Sequence, residues 1–134
     1  MQESFSLINK TKGKIPNLPF SSIKKDILGK DYSLSLAFIG EKKMKELNTK
    51  YRNKNKATNI LSFTLSKKEG EILICPMIAK KEIKKFSRTY GELLQLLVIH
   101  GMLHLKGMEH SSRMEVLEEK YDKKYFHWNR SGIH

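Results

Sequence analysis

Three of the five histidines in this 134-residue chain lie close together, at His100, His104 and His110. The first two are four residues apart, so on a helix they share one face about one turn apart and can direct their imidazoles at one point. The third follows Gly107, where a helix can end and the chain can turn back toward the pair. This spacing predicts a metal site with three histidine ligands.

The cysteine count bears on the kind of metal site. Structural zinc sites close all four coordination positions with protein, commonly with cysteine, whereas catalytic sites combine three ligands with water. The chain has one cysteine, Cys75, which excludes a thiolate-rich structural site. Three neutral imidazoles leave the ion its double charge, which lowers the pKa of a bound water to about 7. The predicted site therefore favours a divalent metal and hydrolysis, although a single histidine on an apolar helix is ordinarily a core residue.

The residue after the first histidine limits which bond such a site could hydrolyse. Zinc proteases carry the motif His-Glu-x-x-His, in which the glutamate is the general base. In this chain that position is Gly101. Peptide hydrolysis therefore lacks its proton acceptor unless a carboxylate comes from elsewhere, and a metalloprotease is disfavoured.

The net charge of the chain indicates the kind of partner it binds. The net charge is +12 and the isoelectric point is about 9.8, which for a small domain indicates a polyanion, nucleic acid before membrane. Of the 26 basic residues only four are arginines, and a lysine excess could also reflect the codon use of an AT-rich genome. The absence of an eighteen-residue apolar run or a basic, apolar leader, together with the single cysteine, predicts a cytoplasmic protein with no membrane contact.

The histidines require a helix to position them, and the pattern supplies one. Thr89 and Glu92 have the spacing of a capping box, and the helix that follows is almost wholly apolar. Alternation and turn residues predict strands at Ser4–Ile8, Tyr32–Ile39, Asn59–Leu65 and Glu71–Cys75, and helices from Ser21, over Glu41–Tyr51, from Pro76, from Thr89 and from Ser112. The predicted fold is one α/β (α+β) domain over residues 1–134: a small mixed four-stranded sheet packed by about five helices, with the three-histidine site at the end of a buried helix.

Two further helices have clear apolar faces. Met44, Leu47 and Tyr51 recur at helical spacing and predict one buried face. Past the histidines, Ser112 with Glu115 again has capping-box spacing, and a core-facing stripe follows it: Met114, Leu117, Tyr121 and Tyr125. The aromatic and basic tail that ends the chain could stack on bases or could be a frayed terminus.

A polar loop separates the second helix from the third strand. It runs from Arg52 to Thr58, and loops between packed elements often carry binding residues. Arg52 is one of the few arginines of the chain, and its rigid guanidinium fork suits a phosphate.

These residues resemble the YbeY endoribonucleases, also called ribosomal RNA maturation factors. The signature of that family is His-Gly-x-Leu-His-Leu-x-Gly-x-Asp-His. Residues 100–110 agree with it at ten of eleven positions, counting the three free ones, and the departure is Glu109 for aspartate. Upstream, the family patterns Leu-Asn-x-x-Tyr-Arg, Thr-Asp-Val-Leu-Ser-Phe and Gly-Asp-Ile correspond to Leu47–Arg52, Thr58–Phe63 and Gly70–Ile72.

The resemblance implies a zinc-dependent, single-strand-specific endoribonuclease that acts in 16S ribosomal RNA 3′-end maturation and ribosome quality control. It implies that His100, His104 and His110 are the ligands of one zinc ion and that Arg52 is the basic residue of the catalytic cleft. Asn59 replaces an aspartate of the family pattern. Single-stranded RNA, ribosomal RNA and the ribosome are the implied partners. An alternative is a ribosome-assembly binding factor whose metal mainly stabilises the fold.

Overall fold

The computed structural model describes residues 4–109 and 111–131, with side chains described as far as Tyr125. The strands are β1 (Phe5–Asn9), β2 (Ser33–Phe38), β3 (Ile60–Ser66) and β4 (Glu69–Ile74). The helices are α1 (Phe20–Ile27), α2 (Glu41–Arg52), α3 (Pro76–Lys81), α4 (Ile83–Phe86), α5 (Tyr90–Leu105) and α6 (Ser112–Ser131). The predicted α+β class with a four-stranded sheet is confirmed. The helix predicted from Pro76 is divided at Glu82, whose amide bonds the carbonyl of Ala79 in a tighter turn.

The sheet is mixed, with strand order β1-β2-β4-β3. Strand β2 pairs in parallel with both β1 and β4, whereas β3 and β4 form an antiparallel hairpin. The register of that hairpin shifts between Thr64 and Ser66, a β-bulge that adds local twist to β3. Strand β3 is therefore an irregular edge strand, and its outer side faces no other strand of the described chain.

Both faces of the sheet are covered, but unequally. The larger core packs α1, α5 and α6 against one face and includes Leu34, Leu36 and Phe38 of β2. A smaller core on the other face includes Ala37 and Ile39, which are buried under α2 and α3. The alternating large residues of β2 thus face the larger core, and the end of this strand is buried on both faces.

Helix α2 covers only part of its sheet face. Met44 is fully buried and Leu47 is half-buried, but Tyr51 is 55% exposed. The prediction that Tyr51 belongs to the buried face is wrong. The last turn of α2 lies beside the edge strand β3. There the Tyr51 and Phe63 ring centroids are 5.3 Å apart, and the Lys50 ammonium lies over the Tyr51 ring at 5.2 Å from its centroid.

Helix α5 begins and ends as its sequence predicts. The Thr89 hydroxyl accepts from the Glu92 amide and the Glu92 carboxylate accepts from the Thr89 amide, which completes the capping box. At the other end Gly107 adopts a φ of +98°, and its amide bonds the carbonyl of His104 while the Met108 amide bonds that of Leu103. This is a Schellman ending, in which glycine takes the left-handed position.

Helix α6 is capped one residue earlier than predicted. The Met114 amide donates to the hydroxyl of Ser111 at 3.2 Å, so Ser111 and not Ser112 satisfies the first free amides. The predicted stripe is confirmed, since Met114 and Tyr125 are buried and Leu117 and Tyr121 pack against the larger core. The side chains of the tail and of His110 lie outside the described residues. None of the helices described has the length and apolarity needed to cross a membrane.

Candidate active site

Helix α5 brings His100 and His104 together, as their spacing requires. Their Nε2 atoms face each other at 3.0 Å, and the ring centroids are 4.5 Å apart with the rings nearly perpendicular. Both imidazoles lie near the C-terminal end of the helix, where they are only partly buried. The pair therefore directs two potential ligand atoms at one accessible point.

A carboxylate from α6 holds the first histidine. The Oε1 atom of Glu118 lies 2.7 Å from Nδ1 of His100, and the two side chains are 19% and 22% exposed. A carboxylate at Nδ1 retains the proton on that nitrogen, so the Nε2 lone pair is left to face His104. Glu118 therefore fixes both the tautomer and the orientation of the ring.

Glu118 was not among the residues predicted from the sequence. Its signal was nevertheless present, because it follows Met114 by four residues and so lies on the buried side of α6. A carboxylate on the core side of an amphipathic helix needs a partner. The sequence could not identify that partner, which belongs to a different helix.

The histidine pair opens into a cleft of about 310 Å³ between α5 and β3. Its lining residues are Arg52, Ile60, Ser62, Thr64, His100, His104 and Leu105. Arg52, at the end of α2, is exposed, and its Nη2 donates one long hydrogen bond of 3.4 Å to the Ser62 carbonyl. The structure thus places the predicted basic residue and two predicted metal ligands in one cleft, although they are some fifty residues apart in sequence.

Gly101 sets how closely α5 approaches the sheet. A Cβ atom at this position would lie 3.0 Å from Ile60 Cδ1 and 3.1 Å from both Ile72 Cδ1 and Ser62 Oγ. A larger side chain would push α5 and its histidines away from β3 and β4. The position at which zinc proteases carry their general base therefore faces the sheet in this protein and has no room for a carboxylate.

The donor set fits a zinc ion as far as the described residues extend. Two nitrogens bound to one tetrahedral zinc at 2.0–2.1 Å are separated by about 3.3 Å, close to the observed 3.0 Å between the two Nε2 atoms. A carboxylate on the other nitrogen of a ligand histidine is a recurrent feature of zinc sites. Among the side chains that the structure describes, in residues 4–109 and 111–125, no three from histidine, cysteine or acidic residues share one point, so the third ligand remains the prediction at His110.

Asn59, which replaces the aspartate of the family pattern, does not line the cleft. Its Nδ2 donates to Oε1 of Glu82 at 2.8 Å, linking the start of β3 to the junction of α3 and α4. An amide suits this position because an aspartate would oppose the Glu82 carboxylate. The asparagine that replaces the family's aspartate is therefore compatible with the neighbouring Glu82 carboxylate.

The fold and the site together define an α+β domain with histidines and an arginine in one cleft. The same fold occurs in a protein of Thermotoga maritima known from a solution structure, with 27% identity, a TM-score of 0.69, and 96% of this chain and 93% of that one aligned.

The family follows from the sequence. A family model described as Endoribonuclease YbeY matches residues 8–126, and the chain belongs to this family. The Endoribonuclease YbeY of Thermotoga petrophila is 36% identical over 103 residues, which cover 75% of this chain and 67% of that protein. That of Staphylococcus carnosus is 31% identical over 117 residues, covering 78% and 76%. The resemblance predicted from the motifs is confirmed, and the family name denotes a nuclease acting on phosphodiester bonds.

Proposed function

We propose that this protein is a zinc-dependent endoribonuclease that cleaves single-stranded RNA in the cleft between α5 and β3. We further propose that its biological substrate is ribosomal RNA, in 16S 3′-end maturation and ribosome quality control, in the cytoplasm. The single observation that carries the proposal is that Arg52 and the facing Nε2 atoms of His100 and His104 line the same cleft.

His100, His104 and His110 would hold the ion. In sequence, His110 lies between the last residue of α5, Leu105, and the first of α6, Ser112. Both helices contribute to the pair: α5 carries it and α6 supplies Glu118. Bound there, zinc would supply a Lewis acid that polarises a phosphoryl oxygen and lowers the pKa of water. Glu118 keeps the proton on Nδ1 of His100 and so presents Nε2 as a ligand.

Arg52 supplies the charge that phosphodiester cleavage requires. Its guanidinium can donate two parallel hydrogen bonds to phosphate oxygens and neutralise the charge that develops on them. At 3.4 Å its bond to the Ser62 carbonyl is weak, so exchange of that bond for a phosphate costs little.

The nucleophile is either water or the RNA 2′-hydroxyl, and the product ends distinguish them. A 2′,3′-cyclic phosphate follows from attack by the 2′-hydroxyl, whereas water leaves a 5′-phosphate and a free 3′-hydroxyl. Gly101 provides no proton acceptor in either case.

The preference for single strands follows from size and charge. A cleft of about 310 Å³ admits one phosphodiester and its neighbours, and a flexible single strand can bend that group inward. The net charge of +12 favours backbone contacts without sequence reading, so RNA affinity falls steeply as salt rises.

The test compares the wild type with His104→Ala and with a matched histidine control, His127→Ala, which removes a histidine that is not a predicted ligand. We expect one zinc per chain and cleavage of single-stranded but not duplex RNA in the wild type and in the control. His104→Ala should lose both zinc and cleavage. Full cleavage by His104→Ala, or a wild type without zinc, would refute the proposal.

The alternative is a metal-stabilised ribosome-assembly factor, and Arg52 separates the two. In the enzyme, Arg52→Gln should lower the cleavage rate about 10²- to 10³-fold while the melting temperature stays unchanged, because the side chain is exposed. Unchanged complementation of ribosome assembly in cells by Arg52→Gln would favour the binding factor instead.

A further inference from the structure

A groove on the sheet face that carries α2 is larger than the cleft. This apolar groove has a volume of about 640 Å³, and its principal apolar walls are Ile8, Leu47, Tyr51, Phe63, Leu65 and Leu73. It runs across all four strands and along α2. Nothing in the proposed cleavage chemistry uses it.

The groove leaves large apolar side chains in contact with solvent. Ile8, Tyr51 and Leu65 are 45%, 55% and 58% exposed, and all three line the groove. Exposed apolar side chains that are grouped in one concavity generally mark an interaction site, whereas scattered ones do not. We therefore expect the groove to bind another molecule.

The apolar groove is continuous with the cleft. Tyr51 and Arg52 are consecutive at the end of α2, and they line the groove and the cleft respectively. Thr64 of β3 lines both. Because β3 is the edge of the described sheet, a strand of nucleic acid can pass around it from one concavity into the other. A phosphate held by Arg52 then has a neighbouring base within reach of the Tyr51 ring.

The charges around the groove favour nucleic acid. Lys10 and Lys43 stand at its rim, and the Lys50 ammonium lies 5.2 Å from the centroid of the Tyr51 ring. The acidic residue of the lining, Glu71, lies on the floor between Ser35 of β2 and Phe63 of β3. Cations at the rim suit phosphates, and a carboxylate acceptor on an apolar floor suits the amino groups of bases. A second copy of the chain would bring two lysine-rich rims together.

We propose that the apolar groove binds a base of the RNA strand whose phosphate lies at Arg52, and that Tyr51 is the surface on which this base stacks. The inference rests on the proposed function and extends the substrate site by one nucleotide or more. It also gives a role to residues of the family-like stretches that the cleft leaves unused: Leu47, Tyr51, Phe63 and Glu71. Base stacking on an aromatic ring tolerates any sequence, as expected of a nuclease that grips the backbone.

Direct binding tests the stacking without cleavage. A single-stranded oligonucleotide containing 2-aminopurine is titrated into protein in a His104→Ala background, which should not cleave it and which keeps Arg52, and fluorescence quenching and anisotropy are followed. Tyr51→Leu should raise the Kd by about tenfold, the loss of one base stack, and should abolish the quenching. Tyr51→Phe, which keeps the ring, should behave as the parent. The matched control is Phe86→Leu, an exposed aromatic on α4 outside the groove, and it should also behave as the parent.

A cleavage assay in the wild-type background provides a second test of the stacking site. In a series of oligonucleotides with one abasic nucleotide each, one position beside the scissile phosphate should raise the KM of the wild type by about tenfold. The same abasic position should cost Tyr51→Leu nothing further, because the base and the ring are two halves of one contact.

The outcomes separate this inference from the proposed function. A wild type that cleaves RNA, with Tyr51→Leu equal to it in Kd, quenching and KM, overturns the stacking site alone. Stacking that depends on Tyr51 in a protein that never cleaves RNA supports the groove and overturns the nuclease. A wild-type dimer that Tyr51→Leu dissociates, with no change in RNA binding, assigns the groove to a second copy and overturns the inference.

Discussion

Glu118 offers the sharpest test of the candidate site, because Glu118→Gln removes a charge and keeps the shape. The glutamine carbonyl can still accept from Nδ1 of His100, so the ring should keep its orientation. What is lost is the charge that makes Nε2 a stronger ligand. Loss of such an outer carboxylate typically lowers zinc affinity 10- to 100-fold, or by about 1.4 to 2.7 kcal/mol. Since the 2.7 Å bond itself survives as a neutral one, we expect the lower figure, about tenfold.

The assay is competition for zinc between the protein and a chromophoric chelator at fixed pH and salt. Glu119→Gln is the matched control, since the neighbouring carboxylate is well exposed and pairs with Lys123 at 2.9 Å instead of with a histidine. Its zinc affinity should equal that of the wild type. An unchanged affinity in Glu118→Gln, or an equal loss in both variants, would refute the role assigned to the carboxylate.

Three further predictions concern the elements around the site. Gly101→Glu, which would restore the protease motif, should destabilise the fold by about 3 kcal/mol or more in chemical denaturation and yield no peptidase, because its side chain meets Ile60, Ile72 and Ser62; a stable variant would contradict the packing. Asn59→Asp should cost about 1 to 2 kcal/mol at pH 7, since it opposes the Glu82 carboxylate, and the cost should shrink as the pH falls below about 4.3. Asp26 accepts hydrogen bonds from Lys124 at 2.6 Å and from Tyr125 at 2.9 Å, and the first of these chiefly lowers its pKa below 3.8. A lowered pKa stabilises the fold above the pKa of the unfolded chain, so Asp26→Asn should cost about 1 kcal/mol at pH 7, and the difference should vanish as the pH falls through and below 3.8.

The sequence predicted most of the local structure because local signals specify it. The capping box at Thr89, the glycine at position 107 and the hairpin between β3 and β4 each depend on residues within a few positions of one another. The spacing of the two histidines belongs to the same class, since the helix alone brings them together. Two local details differed: the helix from Pro76 is divided at Glu82, and of the adjacent serines Ser111 and Ser112, which offer the same chemistry, the first caps α6.

What the sequence could not supply are the contacts between elements distant in the chain. Glu118 reaches His100 because α6 packs against α5, and no local pattern states that pairing. Tyr51 has the spacing of a core residue, yet it is exposed because α2 ends beside an edge strand. The helical period identifies the face on which a side chain lies but not how far the opposing surface extends. The apolar groove was missed for that reason.

The end of α2 carries both of the residues to which we assign an RNA contact, Arg52 for a phosphate and Tyr51 for a base. Successive helix residues project about 100° apart, so two consecutive side chains cannot enter the same concavity when the helix lies flat on a sheet. Beside the edge strand β3 they can separate, with Arg52 turned to the Ser62 carbonyl and Tyr51 turned to Phe63 on the other sheet face. A charged fork and an aromatic ring on either side of one sheet edge match the alternation of phosphate and base along a single strand. A duplex, whose bases are stacked on each other, would not engage both, so the proposed stacking on Tyr51 also predicts single-strand specificity.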